Sequence, residues 1–256
     1  MQLTEEKIKE LIHESLKNRN QLNGRTTQVL DAIYKEIIPL YSYSEYMTSN
    51  KMHQLRKLLF IEYLVQVSDE LKYQINIDEL MFASVCTELA LVEDEFNPKF
   101  SVPNVGIKSA NLLRNKFRYI LVDLFGYKPW EDENSFVPSI AAWPYDNFGK
   151  PKMYHKLPIY ASYLNDINNL SDMYSVGIEG MIYQLTHDYL LLDGFDDSDE
   201  NADLFQRYGE KALIHLNVKY GKTGKYVIQS PVIANNTEIV KLYYKFKLDL
   251  AKIKES

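Results

Sequence analysis

The residues best suited to chemistry crowd into one stretch, Thr186 to Asp203, which reads THDYLLLDGFDDSDENAD. It holds the only His-Asp dipeptide, then an acidic run without Lys or Arg. Carboxylates this close repel one another, so they are fully solvated, bind a cation, or face a basic partner. An EF-hand does not fit. Started at Asp197, a loop supplies Asp197, Asp199 and Asn201, but Ala202 stands where the turn glycine belongs and Tyr208 where the bidentate Glu belongs. The basic-partner reading makes Asp193, Asp196, Asp197, Asp199 and Glu200 the expected contacts, with Trp130 or Trp143 as neighbouring aromatic anchors.

A second constellation lies around the same dipeptide. His155 precedes His187-Asp188 in the chain, and Asp249 follows on a predicted C-terminal helix. This order resembles the HD phosphohydrolase superfamily. The resemblance implies a divalent metal held by His155, His187, Asp188 and Asp249, which would supply a metal-bound hydroxide for phosphoester hydrolysis. It covers residues 150–256 only, and the Lys often found near that site is missing after Asp188. The ordinary reading of the same residues is a helix-end His with a capping or surface Asp.

A third pattern is Lys51 and Arg56 ahead of Glu93-Asp94-Glu95, with Gln184 ahead of His187-Asp188. It resembles the trans-isoprenyl diphosphate synthases, all-α enzymes in which acidic motifs on facing helices hold Mg²⁺ against a diphosphate. Here Glu93-Asp94-Glu95 lacks the further Asp, and Leu191 stands where another is expected. That departure leaves fewer carboxylates than the family's metal cluster uses, as in an inactive relative. Other signatures are missing. Gly221-Lys222-Thr223-Gly224 lacks the preceding half of a phosphate loop, no Cys pair could hold zinc, and Glu10 with His13 has no second such pair for a di-iron site.

The elements that must position these residues read as helices nearly throughout. Thr4 is expected to cap a first helix bearing Ile8, Leu11 and Ile12. A second starts near Thr26 or Thr27 and ends at Pro39. A third, from about Ser49 to Leu71, is apolar on most sides and therefore central. Asp78 is expected to cap a fourth, and a fifth carries Leu113, Phe117, Ile120, Leu121 and Leu124. Beyond a Pro-, Gly- and aromatic-rich loop at 126–151, helical spacing resumes at Tyr154, restarts after Ser171 as a cap, and continues through Phe205 to Leu216. Lys225 to Val232 reads as a short extended piece, and a last helix spans about Thr237 to Lys254. The prediction is an all-α domain over 1–256, with about eight helices in a compact bundle-like arrangement. Two halves, 1–125 and 152–256, would be joined by the 126–151 loop. That loop either plugs the core or displays its aromatics to a partner.

Composition bounds the rest. The lone Cys86 sits in an apolar run and cannot form an internal disulfide, so a reducing, cytoplasmic setting is the expectation. No apolar run reaches the roughly 18 residues of a membrane span, so no membrane partner is expected. Residues 211–256 carry nine lysines against three acids, a net of +6, leaving −12 on the remainder. Those lysines have no Gly-rich or aromatic-interleaved frame, so nucleic acid is not an expected partner. The reading that follows is a cytosolic helical binding or regulatory protein, an inhibitor or adaptor for a basic partner. The HD-like hydrolase and the isoprenyl diphosphate synthase-like protein stand as alternatives. No cofactor is assigned outside the metal-dependent alternatives.

Overall fold

The computed structural model describes residues 3–93, 104–126, 136–143, 158, 160–195 and 202–255. Among them every regular element is helical. Thr4 caps α1 (Glu5–Asn18) by accepting the Lys7 amide, and Ile8, Ile12 and Leu16 face inward. Asn23 caps α2 (Gly24–Ala32), which loosens into a π turn over Ile33–Ile37 and a 3-10 turn over Ile38–Tyr43 with Pro39 in its first turn. Asn50 caps α3 (Lys51–Val67), the central rod. Then follow α4 (Asp69–Gln74), α5 (Ile77–Cys86), α6 (Ala90–Glu93), α7 (Val105–Asn115), α8 (Arg118–Phe125) and α9 (Phe136–Ala141). The C-terminal part holds α10 (Ala161–Ser175), α11 (Gly177–Leu192), α12 (Ala202–Tyr220), α13 (Pro231–Asn235) and α14 (Thr237–Glu255).

The all-α class stands, but the expected count of about eight is too low because several long runs are broken. Extended backbone at Ser68 separates α3 from α4. Left-handed Gly177 (φ +65°) separates α10 from α11, a conformation that costs glycine little. Ser171 is therefore not a cap but an interior residue of α10. Asn76, not Asp78, caps α5, and the Asp78 carboxylate instead accepts the Thr26 hydroxyl at 2.9 Å. Of the expected extended piece, Lys225 to Ser230 forms no strand, and Pro231 and Val232 open α13.

The expected 126–151 loop holds a helix, α9, whose Pro138 falls in the first turn where no amide is required. Phe136 inserts between Phe82, Phe125 and Tyr160 in edge-to-face contacts with centroids 5.2–6.4 Å apart. Trp143 is 7% exposed, so it belongs to the core and not to a displayed surface. Gly106 of α7 lies directly under it. A Cβ there would stand 1.7 Å from the Trp143 carbonyl oxygen.

Because α3 is surrounded, its charged residues Arg56, Lys57 and Glu62 are interior. It packs against α1, α5 and α10. Glu62, 1% exposed, is held by the Arg19 guanidinium from the end of α1. No helix among the described residues is long and apolar enough to cross a membrane.

Candidate functional site

Four polar residues within about a turn and a half of α3 lie inside the bundle. Its residues His53, Gln54, Arg56 and Lys57 are all at most 5% exposed. Facing helices answer them. Lys57 Nζ donates to Glu88 Oε2 at 2.7 Å, to Thr87 Oγ1 at 3.3 Å and to the Ser84 carbonyl at 3.4 Å, which uses all three ammonium protons. Gln54 Nε2 donates to the same Glu88 oxygen at 2.8 Å. From α10, Asp172 accepts His53 Nδ1 at 2.9 Å and Arg56 Nε at 2.5 Å. His53 Nε2 lies 3.2 Å from Asn168 Oδ1 and 3.6 Å from Glu88. The ring therefore bridges the two carboxylates. Arg56 Nη2 reaches Gln184 Oε1 of α11 at 3.5 Å.

The electrostatics follow from this geometry. Burial pushes the Asp172 carboxyl up, but His53 and Arg56 outweigh it and hold Asp172 well below the usual carboxylate range. Burial likewise raises Glu88, and the Lys57 ammonium and His53, with bonds from Lys57 and Gln54, bring it below its ordinary value. Lys219 of α12 feels the same two carboxylates. Its burial outweighs their pull and brings the ammonium down to about 8. Its Nζ stands over the Tyr220 ring at 5.1 Å, and no carboxylate pairs with it among the described residues. The cluster thus sets three cations, Arg56, Lys57 and Lys219, against two carboxylates, with His53 between them. Within the cluster, the buried Gln54 Oε1 has no hydrogen-bond partner among the described residues.

Two neighbouring carboxylates serve as backbone latches. Asp188 accepts the Met47 amide at 2.6 Å, the Thr48 amide at 3.1 Å and the Thr48 hydroxyl, pinning the segment that leads into α3. Asp166 accepts the Gln229 and Ser230 amides and the Tyr226 hydroxyl, fixing the start of α13 to α10. Burial pushes Asp166 up to about 7 against those donors.

The residues singled out from sequence are not gathered in one place. Asp188 and His187 are buried on α11, whereas Asp249 is on α14, partly exposed and paired with Lys252 at 3.0 Å. His155 lies outside the described residues. Among the described residues no group of three or more His, Cys, Asp and Glu side chains is placed to hold a metal ion. Asp193 ends α11, accepts the Tyr208 hydroxyl at 2.5 Å and lies 3.5 Å from Lys211. Asp196, Asp197, Asp199, Glu200 and Trp130 lie outside the described residues, as do Asp94, Glu95 and the Glu93 side chain. Lys51 points to the surface and pairs with Glu5 at 2.9 Å. Of the isoprenyl-synthase-like residues, Arg56 and Gln184 do meet.

Sequence reasoning missed His53, Lys57, Glu88, Asn168, Asp172 and Lys219. The available signal was a helix apolar on every side that nonetheless carried His53, Gln54, Arg56 and Lys57. With no polar face to occupy, such residues must be answered from inside. No family model matches this chain, and neither a curated protein nor a solved structure matches it.

Proposed function

We propose that the protein binds an anionic phosphoester of the diphosphate class at its central polar cluster, and that it works as a binding protein. The observation that carries this reading is the excess of cations at the cluster, with Lys219 left without a carboxylate of its own. Burying each ion costs several kcal/mol after relaxation, and well-packed apolar residues would stabilise the bundle as well or better. Clusters of buried, shifted groups contributed by several helices are also where ligands bind in bundles. Arg56 offers a planar fork suited to phosphate oxygens, Lys219 a point charge, and Gln54 and Asn168 neutral partners.

The likeness to isoprenyl diphosphate synthases supports the ligand class through Arg56 and Gln184 only. It does not extend to that family's Mg²⁺ chemistry. Asp188 is already spent on the 47–48 backbone, and the described residues offer no three-carboxylate set. No metal-dependent step is derived for this chain, and the role proposed is recognition.

Thermal shift and titration calorimetry with inorganic pyrophosphate test the reading. The expected result is saturable binding to the wild-type chain, weakened at least ten-fold in Lys219→Gln at unchanged fold. Binding that is equal for the two proteins, or no stabilisation at millimolar pyrophosphate, contradicts it.

A further inference from the structure

We propose that the face built by α12, the 221–230 connection and α14 docks on an anionic phospholipid bilayer, lying on the membrane surface without crossing it. On α12, Lys211, Ile214 and Val218 recur at helical spacing along one line, and Ile214 and Val218 are 65% and 55% exposed. On α14 the outward line is Lys241, Tyr244, Lys245, Leu248 and Lys252, with Tyr244 and Leu248 60% and 64% exposed. The 221–230 connection is tied to both helices. The Lys225 amide donates to the Val218 carbonyl, and the Tyr243 hydroxyl donates to the Tyr226 carbonyl. Val227, 67% exposed, follows directly. Large apolar side chains thus alternate with exposed lysines across adjoining elements.

Charge complementarity selects the occupant. This face belongs to the stretch with nine lysines and three acids, on a chain that is otherwise strongly negative. This asymmetry of charge along the chain favours approach of the lysine-rich stretch to an anionic surface. The stretch contains no arginine. Bidentate recognition of a defined carboxylate or nucleic-acid phosphate favours arginine, whereas a diffuse anionic headgroup layer needs only point charges on flexible stems. Lysine stems lie along apolar surface with the ammonium reaching out, and Tyr, Leu, Ile and Val enter the boundary between headgroups and chains. The exposed aliphatics provide no stacking platform for bases.

The experiment is cosedimentation with phosphatidylcholine vesicles containing about 30% phosphatidylserine, beside pure phosphatidylcholine vesicles, at low salt and at about 0.15 M. Each lysine brought to such a surface strengthens binding by about five-fold. The triple variant K241Q/K245Q/K252Q is therefore expected to bind about 100-fold more weakly, and Y244S/L248S to bind measurably more weakly. K7Q/K35Q, on the opposite charge domain, should match wild type. These positions are exposed, and far-ultraviolet circular dichroism checks that each variant folds. The salt dependence of the wild-type protein reports on the same charges without any substitution. Equal partitioning onto neutral vesicles, no partitioning at low salt, or preference for polyglutamate or single-stranded RNA over anionic vesicles overturns the proposal. None of these variants touches Arg56 or Lys219, so the outcome is independent of pyrophosphate binding.

Discussion

Glu88→Gln isolates the electrostatics of the central cluster. The substitution keeps size and an acceptor for Gln54 but removes the charge facing Lys57 at 2.7 Å. Lys57 is fully buried, so its ammonium must then either lose its proton or draw water into the bundle. Breaking a buried pair by neutralising one partner costs about 3–5 kcal/mol. For a chain of this size each kcal/mol lowers Tm by roughly 2–4 °C, so a fall of about 6–20 °C is expected. Removing both charges with Lys57→Met in the Glu88→Gln background should restore at least half of that loss, because no orphaned charge remains. Thermal unfolding followed by circular dichroism reads both values. A single-variant fall below about 2 °C, or a double variant less stable than the single, shows that the Lys57–Glu88 pair is not a buried ion pair of this strength.

Gly106→Ala should destabilise by about 1–3 kcal/mol, since the added methyl collides with the Trp143 and Ile140 carbonyl oxygens and pushes α7 off α9. Chemical denaturation measures the loss. Asp166 is raised to about 7 in the folded chain, above its unfolded value near 3.8, so its contribution is fully present below about pH 4 and is lost as pH rises through about 7. Asp166→Asn should flatten that part of the stability–pH curve while lowering stability overall, because an amide cannot accept all of its backbone and tyrosine donors. Burial, and then the nearby Lys219 ammonium, brings His215 down to about 4. Its imidazole NMR shifts should therefore stay constant from pH 8 down to about 5, and movement near pH 6.5 would count against the buried geometry. Lys219, lowered to about 8, should react with an amine acylating reagent near neutral pH ahead of the surface lysines, as mass spectrometry would show.

The helices were legible in the sequence wherever apolar spacing was regular and a cap was present, as at Thr4 in α1 and along Phe246 and Leu250 in α14. Breaks were less legible. Gly177 ends α10 through a backbone conformation that no side-chain pattern announces, and Asn76 and Asp78 are equally good capping residues until the chain direction is known. The 126–151 stretch read as a loop because Pro138 suggests a break, yet proline is accommodated in the first turn of α9. Most of the polar cluster was hidden for a different reason. Glu88 and Asp172 look like ordinary surface residues in one dimension, and only the packing of α3 against α5 and α10 turns them inward. The attention drawn by the acidic run came from charge density, which marks solvated loops as readily as sites.

The most direct measurement of the central claim is a crystal structure of the protein with inorganic pyrophosphate. The anion is expected inside the bundle, within hydrogen-bonding distance of Lys219 and Arg56, with the Arg56–Gln184 contact exchanged for one to phosphate. An anion found only on the exposed lysines of α14, with the Lys57–Glu88 and Arg56–Asp172 pairs untouched, would contradict it.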